Sequence, residues 1–364
     1  MKTCIQTFEA GIKALLEFLN TIEQESELTR LLLQRQADLE NQEKQLLSKI
    51  IEVGTNKKQY IYSVTIVSLY GLLEQFIDTL IKAFIERIAT LVNSYDAMPE
   101  EIKKNHIILS IELVKTFKED RYYSMPPKTV IANLHSCLSG DQNFRVNGAA
   151  FVLHRGNITL AKITEYLTNV GIQSHLRRVT SAGEFLSYFQ KKEPERNMAN
   201  ITDQDCSTLL KPIDDLVERR NQVSHGVINI DNLESIELLK DRCRFVEVYG
   251  EALYNVILQE VLKTQIAKDT SIKKLDKPIH IYNNSIICFE TIVNKPISIN
   301  DILVAKTSNN SCPIFYSPIE SLQINNAPLK TIPVNQKNTT QFAAKVSFKG
   351  KANYNYYLLE EGTI

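Results

Sequence analysis

The chain has no charge imbalance: its 42 Lys and Arg are matched by 42 Asp and Glu. No global field therefore gathers nucleic acid, and any such contact must rest on a local patch. The six cysteines (Cys4, Cys137, Cys206, Cys243, Cys288 and Cys312) include no Cys-x-x-Cys pair. That excludes a zinc ribbon and a disulfide scaffold, and it fits a reducing compartment. No Asp/Glu or His/Cys cluster has metal-ligand spacing, and no glycine-rich loop of the phosphate-cradling kind occurs. The sequence thus calls for no metal and no cofactor. The opening residues MKTCIQTFEAGIK hold no apolar signal core, and the most apolar run, Ile61 to Val92, is broken by Glu74, Asp78, Lys82, Glu86 and Arg87. Neither export nor a membrane span is expected; the expectation is a cytoplasmic protein.

What the chain does contain is mostly helical periodicity. At 364 residues, 43% of them hydrophobic and 23% charged, it can bury a full core and hold more than one domain. Residues 1–53 read as a long helical arm or hairpin, with Ile12, Leu15, Leu16, Leu19 and Ile22, then Leu28, Leu31, Leu32, Leu39, Leu46, Leu47 and Ile50, at three- and four-residue spacing. Residues 54–265 read as a helical domain. Its second long helix, from about Lys58 to Asn93, sets Val64, Val67, Leu73, Phe76, Ile77, Leu80, Phe84 and Ile88 in one stripe. Met98-Pro99-Glu-Glu opens another helix, Met125-Pro126-Pro127 closes one, and Lys128 to Leu138 forms a short one. ITLAKITEYLTNVGI (158–172) is amphipathic and capped by Gly171; His154 and Arg155 precede it, His154 as an ordinary surface residue. A last long helix, from about Leu233 to Thr264, is expected to be capped by Asp231 or Asn232. Residues 266–278 form a polar linker, and 279–364 a small all-β domain, open barrel or sandwich, locally basic toward its end. There IHIYNNSIICFETIV places an Asn-Asn turn between two β-rich runs, and KVSFKGKANYNYYLL repeats the pattern.

The stretch Val217-Glu-Arg-Arg-Asn-Gln-Val-Ser-His-Gly226 organises the rest. A helix starting near Pro212, a residue suited to a first turn, ends at His225 with Gly226 as a left-handed cap. Arg220 and His225 lie about 140° apart on a regular helix, so they converge only if the cap releases His225. An imidazole moves protons near neutrality and a guanidinium holds a phosphate bidentately, which makes a plausible phosphodiester-cleaving pair. The plainer reading is a helix C-terminus decorated with cations that favour the negative end of its dipole. Glu74, on the edge of the second long stripe, either reaches water or pairs with Arg219 or Arg220 to hold a guanidinium in place. Further along, His175, Arg177, Arg178, Lys191, Lys192 and Arg196 are interleaved with Phe185, Tyr188 and Phe189. This is either a single-stranded RNA contact or a solvated face over packed rings.

Arg220-Asn221-Gln-Val-Ser-His225-Gly226 resembles the Arg-polar-x-x-x-His signature of the HEPN superfamily. Val67-Ser-Leu-Tyr-Gly-Leu-Leu-Glu74-Gln-Phe-Ile77 is similar to the early-helix pattern of its bacterial RiboL-PSP and MAE-type branches, in which an aromatic precedes a Glu that is followed by another aromatic. The resemblance covers roughly residues 55 to 265, the size of a domain. Arg219 fits the looser spacing to His225, but the polar Asn221 follows Arg220, as the pattern asks. The resemblance implies a mainly α fold, a HEPN-like antiparallel bundle. It also implies a homodimer that brings two motifs into one cleft, and a toxin or anti-phage abortive-infection role, which would need restraint by an antitoxin or a trigger from an activating partner.

The leading expectation is a metal-independent endoribonuclease acting on RNA, with tRNA among the targets to try. The RNA's 2′-hydroxyl is the nucleophile, and His225 supplies acid or base. Arg220 stabilises charge on the equatorial phosphate oxygens. Asn221 donates to phosphate or orients Arg220, and Ser224 assists at the same edge. Two rival expectations come from other classes. One is a non-catalytic RNA-binding or regulatory module whose motif only binds phosphate; the other is a coiled-coil adaptor built on residues 4–53.

Overall fold

Helices fill the chain almost to residue 268 and strands follow it. The structure is a computed structural model that describes residues 1–116, 125–153, 156–195, 201–227, 233–269, 272–307 and 314–362. Two compact units emerge, one of Met1–Ala89 with Asn93–Ile257, the other of Thr90–Val92 with Leu258–Ile364.

In the helical unit, α1 (Lys2–Gln34) buries Ile5, Phe8, Ile12, Leu15 and Leu19 along its first half. It is followed by α2 (Asn41–Glu52) and α3 (Gly54–Thr90). The Phe8 ring stacks on Phe76 of α3 with centroids 4.4 Å apart, so the start of α1 is part of the bundle core. Lys240, nearly buried, is neutralised by Glu23 at 2.7 Å. Inside α3 the stripe runs through Ile66, Leu69, Tyr70, Leu73, Phe76, Ile77, Leu80 and Phe84. Val64 and Val67, expected on that face, are 51% and 44% exposed. Each sits more than a quarter-turn from the buried register, and the aromatic Tyr70 takes the inner place. A stretch of this helix is long and apolar enough for a membrane by composition, and half of it is buried in the bundle, as for a core helix.

α4 (Glu100–Lys115) carries Glu100 and Glu101 in its first turn, where acids favour the helix dipole. Buried His106 anchors it: Nε2 accepts from the Asn147 N–H at 3.0 Å, so Nδ1 carries the proton and donates to the Tyr95 hydroxyl at 3.1 Å. Pro126 is the N-cap and Pro127 the first position of α5 (Pro127–Leu138), where a missing N–H costs nothing, while the helix end expected at Met125-Pro126-Pro127 depends on residues 117–124, outside the described residues. α6 (Leu160–Asn169) ends as expected, with Gly171 at φ +86° and Ile172 N–H returning to the Leu167 carbonyl. Short helices α7 (His175–Thr180) and α8 (Gly183–Lys192) lead to α9 (Asp203–Ser224) and α10 (Ile236–Lys268). The cap expected at Asp231 or Asn232 lies outside the described residues, while Ser235 Oγ accepts from the Leu238 N–H at 3.3 Å. α10 lays Leu239, Cys243, Val246, Tyr249 and Leu253 into the core.

The β unit is a sandwich of antiparallel strands. One sheet runs β1 (Lys273–Lys274), β11 (Asn355–Leu359), β5 (Ile302–Lys306), β6 (Ile314–Pro318). The other runs β2 (His280–Tyr282), β3 (Ile286–Val293), β10 (Asn335–Lys345), β7 (Ser321–Ile324), β8 (Ala327–Leu329), and the small pair β4 (Ile297–Ser298) with β9 (Thr331–Ile332) completes it. Phe289 from one sheet meets Tyr356 from the other edge-on at 5.3 Å. The Asn283-Asn284 turn forms as expected, both residues left-handed at φ 49° and 57°, a conformation asparagine tolerates. KVSFKGKANYNYYLL is not a hairpin: Lys345 ends β10 in one sheet, and β11 lies in the other, against β5. Within 266–278, α10 continues to Lys268, β1 pairs with β11, and Leu275 is buried.

Candidate functional site

The motif helix α9 starts well before Pro212. Thr202 and Asp205 make a capping box: Thr202 Oγ1 accepts from the Asp205 N–H at 3.2 Å, and Asp205 Oδ2 accepts from the Thr202 N–H at 2.7 Å. Pro212 therefore lies inside the helix. A proline there removes one backbone bond and strains the turn before it. The buried stripe Cys206, Leu209, Leu210, Ile213, Leu216, Val217 carries the helix through.

Arg219 is built into a charge network. Its Nε donates to Asp215 Oδ2 at 2.9 Å, Nη1 to the Tyr62 hydroxyl at 3.0 Å, and Nη2 lies 3.3 Å from Glu234 Oε1. Arg242 joins from α10, 2.7 Å from Asp215 and 2.6 Å from Glu234. Burial works against the Arg219 cation, but its bonds to Tyr62 and Asp215 and the charges of Glu234 and Asp215 overcome that and hold it above the usual range. Burial likewise opposes the Asp215 carboxylate, and the two arginines hold it below its ordinary value. This guanidinium is spoken for.

Arg220, one position on, faces elsewhere. Its Cζ sits 5.1 Å from the ring centre of Tyr70, a cation–π contact. Nη1 donates at 3.4 Å to Asn157 Oδ1 and at 3.4 Å to Asn221 Oδ1, and Asn157 Nδ2 donates to Asn221 Oδ1 at 2.8 Å. The buried Tyr70 hydroxyl donates to Glu74 Oε1 at 3.2 Å and accepts from the Ile158 N–H at 3.0 Å. Burial raises the Tyr70 pKa and the Glu74 charge adds to it, while the Ile158 bond and Arg220 act the other way. Glu74 thus reaches the guanidinium's neighbourhood through Tyr70, the ring under Arg220. On the far side of Asn157, Leu160 N–H donates to Asp214 Oδ1 at 2.7 Å, tying the loop to α9.

His225 does not leave the helix as convergence with Arg220 required. It is the C-cap at φ −90°, ψ 2°, and its N–H still donates to the Asn221 carbonyl at 2.9 Å. The left-handed turn falls on Gly226, at φ +69°. The His225 and Ser224 side chains are exposed, and neither has a hydrogen bond or ion pair to a described residue. Among the described contacts none joins Arg220 to His225. A half-buried, framed guanidinium and a solvent-facing imidazole share one helix end.

The basic and aromatic stretch divides. Phe185 and Phe189 pack with Phe245 at 6.2 and 6.4 Å, so those rings belong to the core. Arg178 Nη2 donates to the Val256 carbonyl at 3.0 Å, and Arg177 lies 3.3 Å from Asp203. Lys192 reaches the Tyr188 hydroxyl at 3.3 Å and Asp241 at 3.8 Å; Lys191 is exposed. His175 is buried against Thr164 Oγ1 at 3.2 Å, and burial, with Arg178 beside it, pushes its pKa down to about 4. His154, Arg155 and Arg196 lie outside the described residues. Among the described residues no group of three His, Cys, Asp or Glu could hold a metal ion. Sequence reading missed Asn157: it precedes the α6 segment, and no one-dimensional spacing links it to Arg220.

Fold and site define an antiparallel helical domain arranged about one motif helix, with a β-sandwich unit in the same chain. The family model RiboL-PSP-HEPN matches residues 22–259, well over half of the sequence. The chain belongs to the RiboL-PSP-HEPN family, and so to the HEPN superfamily. HEPN domains are often ribonucleases. No curated protein and no solved structure matches the chain.

Proposed function

We propose that this protein is a metal-independent endoribonuclease of the toxin or anti-phage effector type, active in the cytoplasm as a homodimer. The observation that carries the reading is Arg220: it is the arginine of the pair left out of the Asp215–Glu234–Arg242 network, and it is framed by Asn157, Asn221 and Tyr70. A guanidinium held this way is preorganised to meet the charge that grows on a phosphate as the 2′-hydroxyl attacks. His225, on the same helix end and open to solvent, takes or gives the proton. One imidazole cannot serve both faces of the phosphate, and a second protomer supplies the other. Asn221 donates to the phosphate, and Glu74 acts through Tyr70 on the placement of Arg220. RNA is the substrate, and either an antitoxin restrains the enzyme or an activating partner triggers it.

The test compares wild type with His225→Ala on total RNA and on tRNA in EDTA. Cleavage by the wild type alone, leaving 2′,3′-cyclic phosphate ends, is the expected result. Equal cleavage by both removes His225 from the mechanism. A second reading, RNA binding without cleavage, is favoured by one observation, the lack of any described contact between Arg220 and His225. It predicts that neither protein cuts and that both bind RNA equally.

A further inference from the structure

Asn157 lies outside the Arg-Asn-x-x-x-His segment, yet its side chain bonds to both of that segment's first two residues. We propose that Asn157 is the positioning residue of this site: it sets which way the Asn221 amide faces and holds Arg220 beside it, so that both donate to a bound phosphate. The inference rests on the phosphate-handling reading above and names the residue that shapes it.

Asn221 Oδ1 is fully engaged from the protein side, by Asn157 Nδ2 at 2.8 Å and Arg220 Nη1 at 3.4 Å. A carboxamide has its oxygen and its NH2 on opposite branches, so fixing the oxygen inward turns the two N–H donors outward. Asn221 Nδ2 has no acceptor among the described residues. Asn157 Oδ1 accepts from the same Arg220 Nη1 at 3.4 Å, so the three side chains close a triangle in which each oxygen faces a donor. The remaining guanidinium edge and the outward amide then lie side by side. Without Asn157 the Asn221 amide is free to turn over and set its carbonyl oxygen toward an anion, an interaction that repels.

The backbone around Asn157 is fixed independently of its side chain. The Ile158 N–H is bound to the Tyr70 hydroxyl at 3.0 Å and the Leu160 N–H to Asp214 at 2.7 Å. A change at position 157 therefore alters the triangle and leaves the loop in place. Aspartate is the informative substitution, because it has the shape of asparagine and no donor. If Asn157 only fills space, attraction between the new carboxylate and Arg220 makes Asn157→Asp at least as stable and as active as Asn157→Ala. If it positions the donors, aspartate neutralises Arg220 and draws Asn221 Nδ2 toward itself, and function falls below that of the alanine variant.

The experiment measures kcat and KM for RNA cleavage, thermal midpoints, and binding of a non-cleavable 2′-O-methyl oligonucleotide, for wild type, Asn157→Ala, Asn157→Asp and Arg220→Ala. The expected thermal midpoint of the aspartate variant is at or above that of the alanine variant. In kcat/KM, a loss of about 10-fold is expected for Ala and about 100-fold or more for Asp, the range seen when a donor to a developing oxyanion is removed. Oligonucleotide affinity should follow the same order. Wild-type activity with both Asn157 variants unimpaired overturns the proposal and leaves the nuclease reading standing. No cleavage by any protein, with binding still ordered wild type, Ala, Asp, overturns the nuclease reading and leaves Asn157 in its role. Neither cleavage nor Arg220-dependent binding overturns both.

Discussion

Arg219 and Arg220 differ by one position, about 100° of helix, and that rotation separates a structural cation from an available one. Arg219, with Tyr62, Asp215 and Glu234 around it, closes a network in which Arg242 and Glu234 are only 11% and 12% exposed and Asp215 is 42% exposed. Removing Arg242 takes the bidentate partner from nearly buried Glu234 and leaves Asp215 to Arg219 alone, and Arg242→Ala is expected to cost about 3 kcal/mol by urea unfolding. Arg220→Lys should leave the unfolding midpoint near wild type and reduce RNA cleavage by about 100-fold, because an ammonium cannot reproduce the bidentate, ring-stacked guanidinium. A loss of stability in the Arg220→Lys protein as large as that in Arg242→Ala would count against this division of labour. Histidines make the third test. Burial pushes His106 to about 4 and, with Arg178, His175 to about 4. Both are neutral in the fold, so the stability they confer is complete above the unfolded value near 6.5 and is lost as pH falls from there through about 4. The loss is on the order of 3 kcal/mol for each. Urea midpoints at pH 7 and pH 4.5 should differ steeply in the wild type and less in His175→Gln.

At the scale of single elements, close packing is sharpest where α1 meets α10. The Phe8 ring sits on Gly250, and a methyl there would run into it, while Phe76 backs the ring from α3. Gly250→Ala should therefore lower stability by about 1–3 kcal/mol despite alanine's better helix propensity; a rise in thermal midpoint would show that Phe8 is free to move. Much of this architecture was legible. Three- and four-residue spacing located α3, α6 and the α9–α10 pair, and Asn283-Asn284 announced its turn. Where reading failed, tertiary forces had outweighed local signals. Pro212 lies mid-helix because Leu209, Ile213 and Leu216 are worth more buried than the bond it forfeits. Pro127 opens α5 behind the N-cap Pro126, because the missing N–H that stops a helix is harmless at a first turn. In the site, Arg220, Asn221 and Glu74 stood in recognisable strings. Asn157 did not, since the loop before α6 is brought to α9 by Tyr70 and Asp214, which no periodicity encodes.

For the whole molecule, the proposed homodimer predicts that activity depends on concentration. Specific activity of the wild type should rise with protein concentration and level off where sedimentation shows a dimer, and cleavage should persist in EDTA. A monomer with constant specific activity on dilution would remove the second protomer from the mechanism. The seat of Phe8 on Gly250 carries a consequence in time as well as space. A helix made first is completed by a helix made long after it, so the bundle depends on contacts of high sequence separation, the kind that slow folding and leave early intermediates open. While a ribosome is still extending the chain, α1 has Phe76 of α3 to stack on but lacks the α10 surface at Gly250 that closes over Phe8. The helix that carries Arg220 is then also without Arg242 to tie it down. On the proposed ribonuclease reading, a nascent chain is expected to spare the RNA of the ribosome that makes it until α10 has emerged.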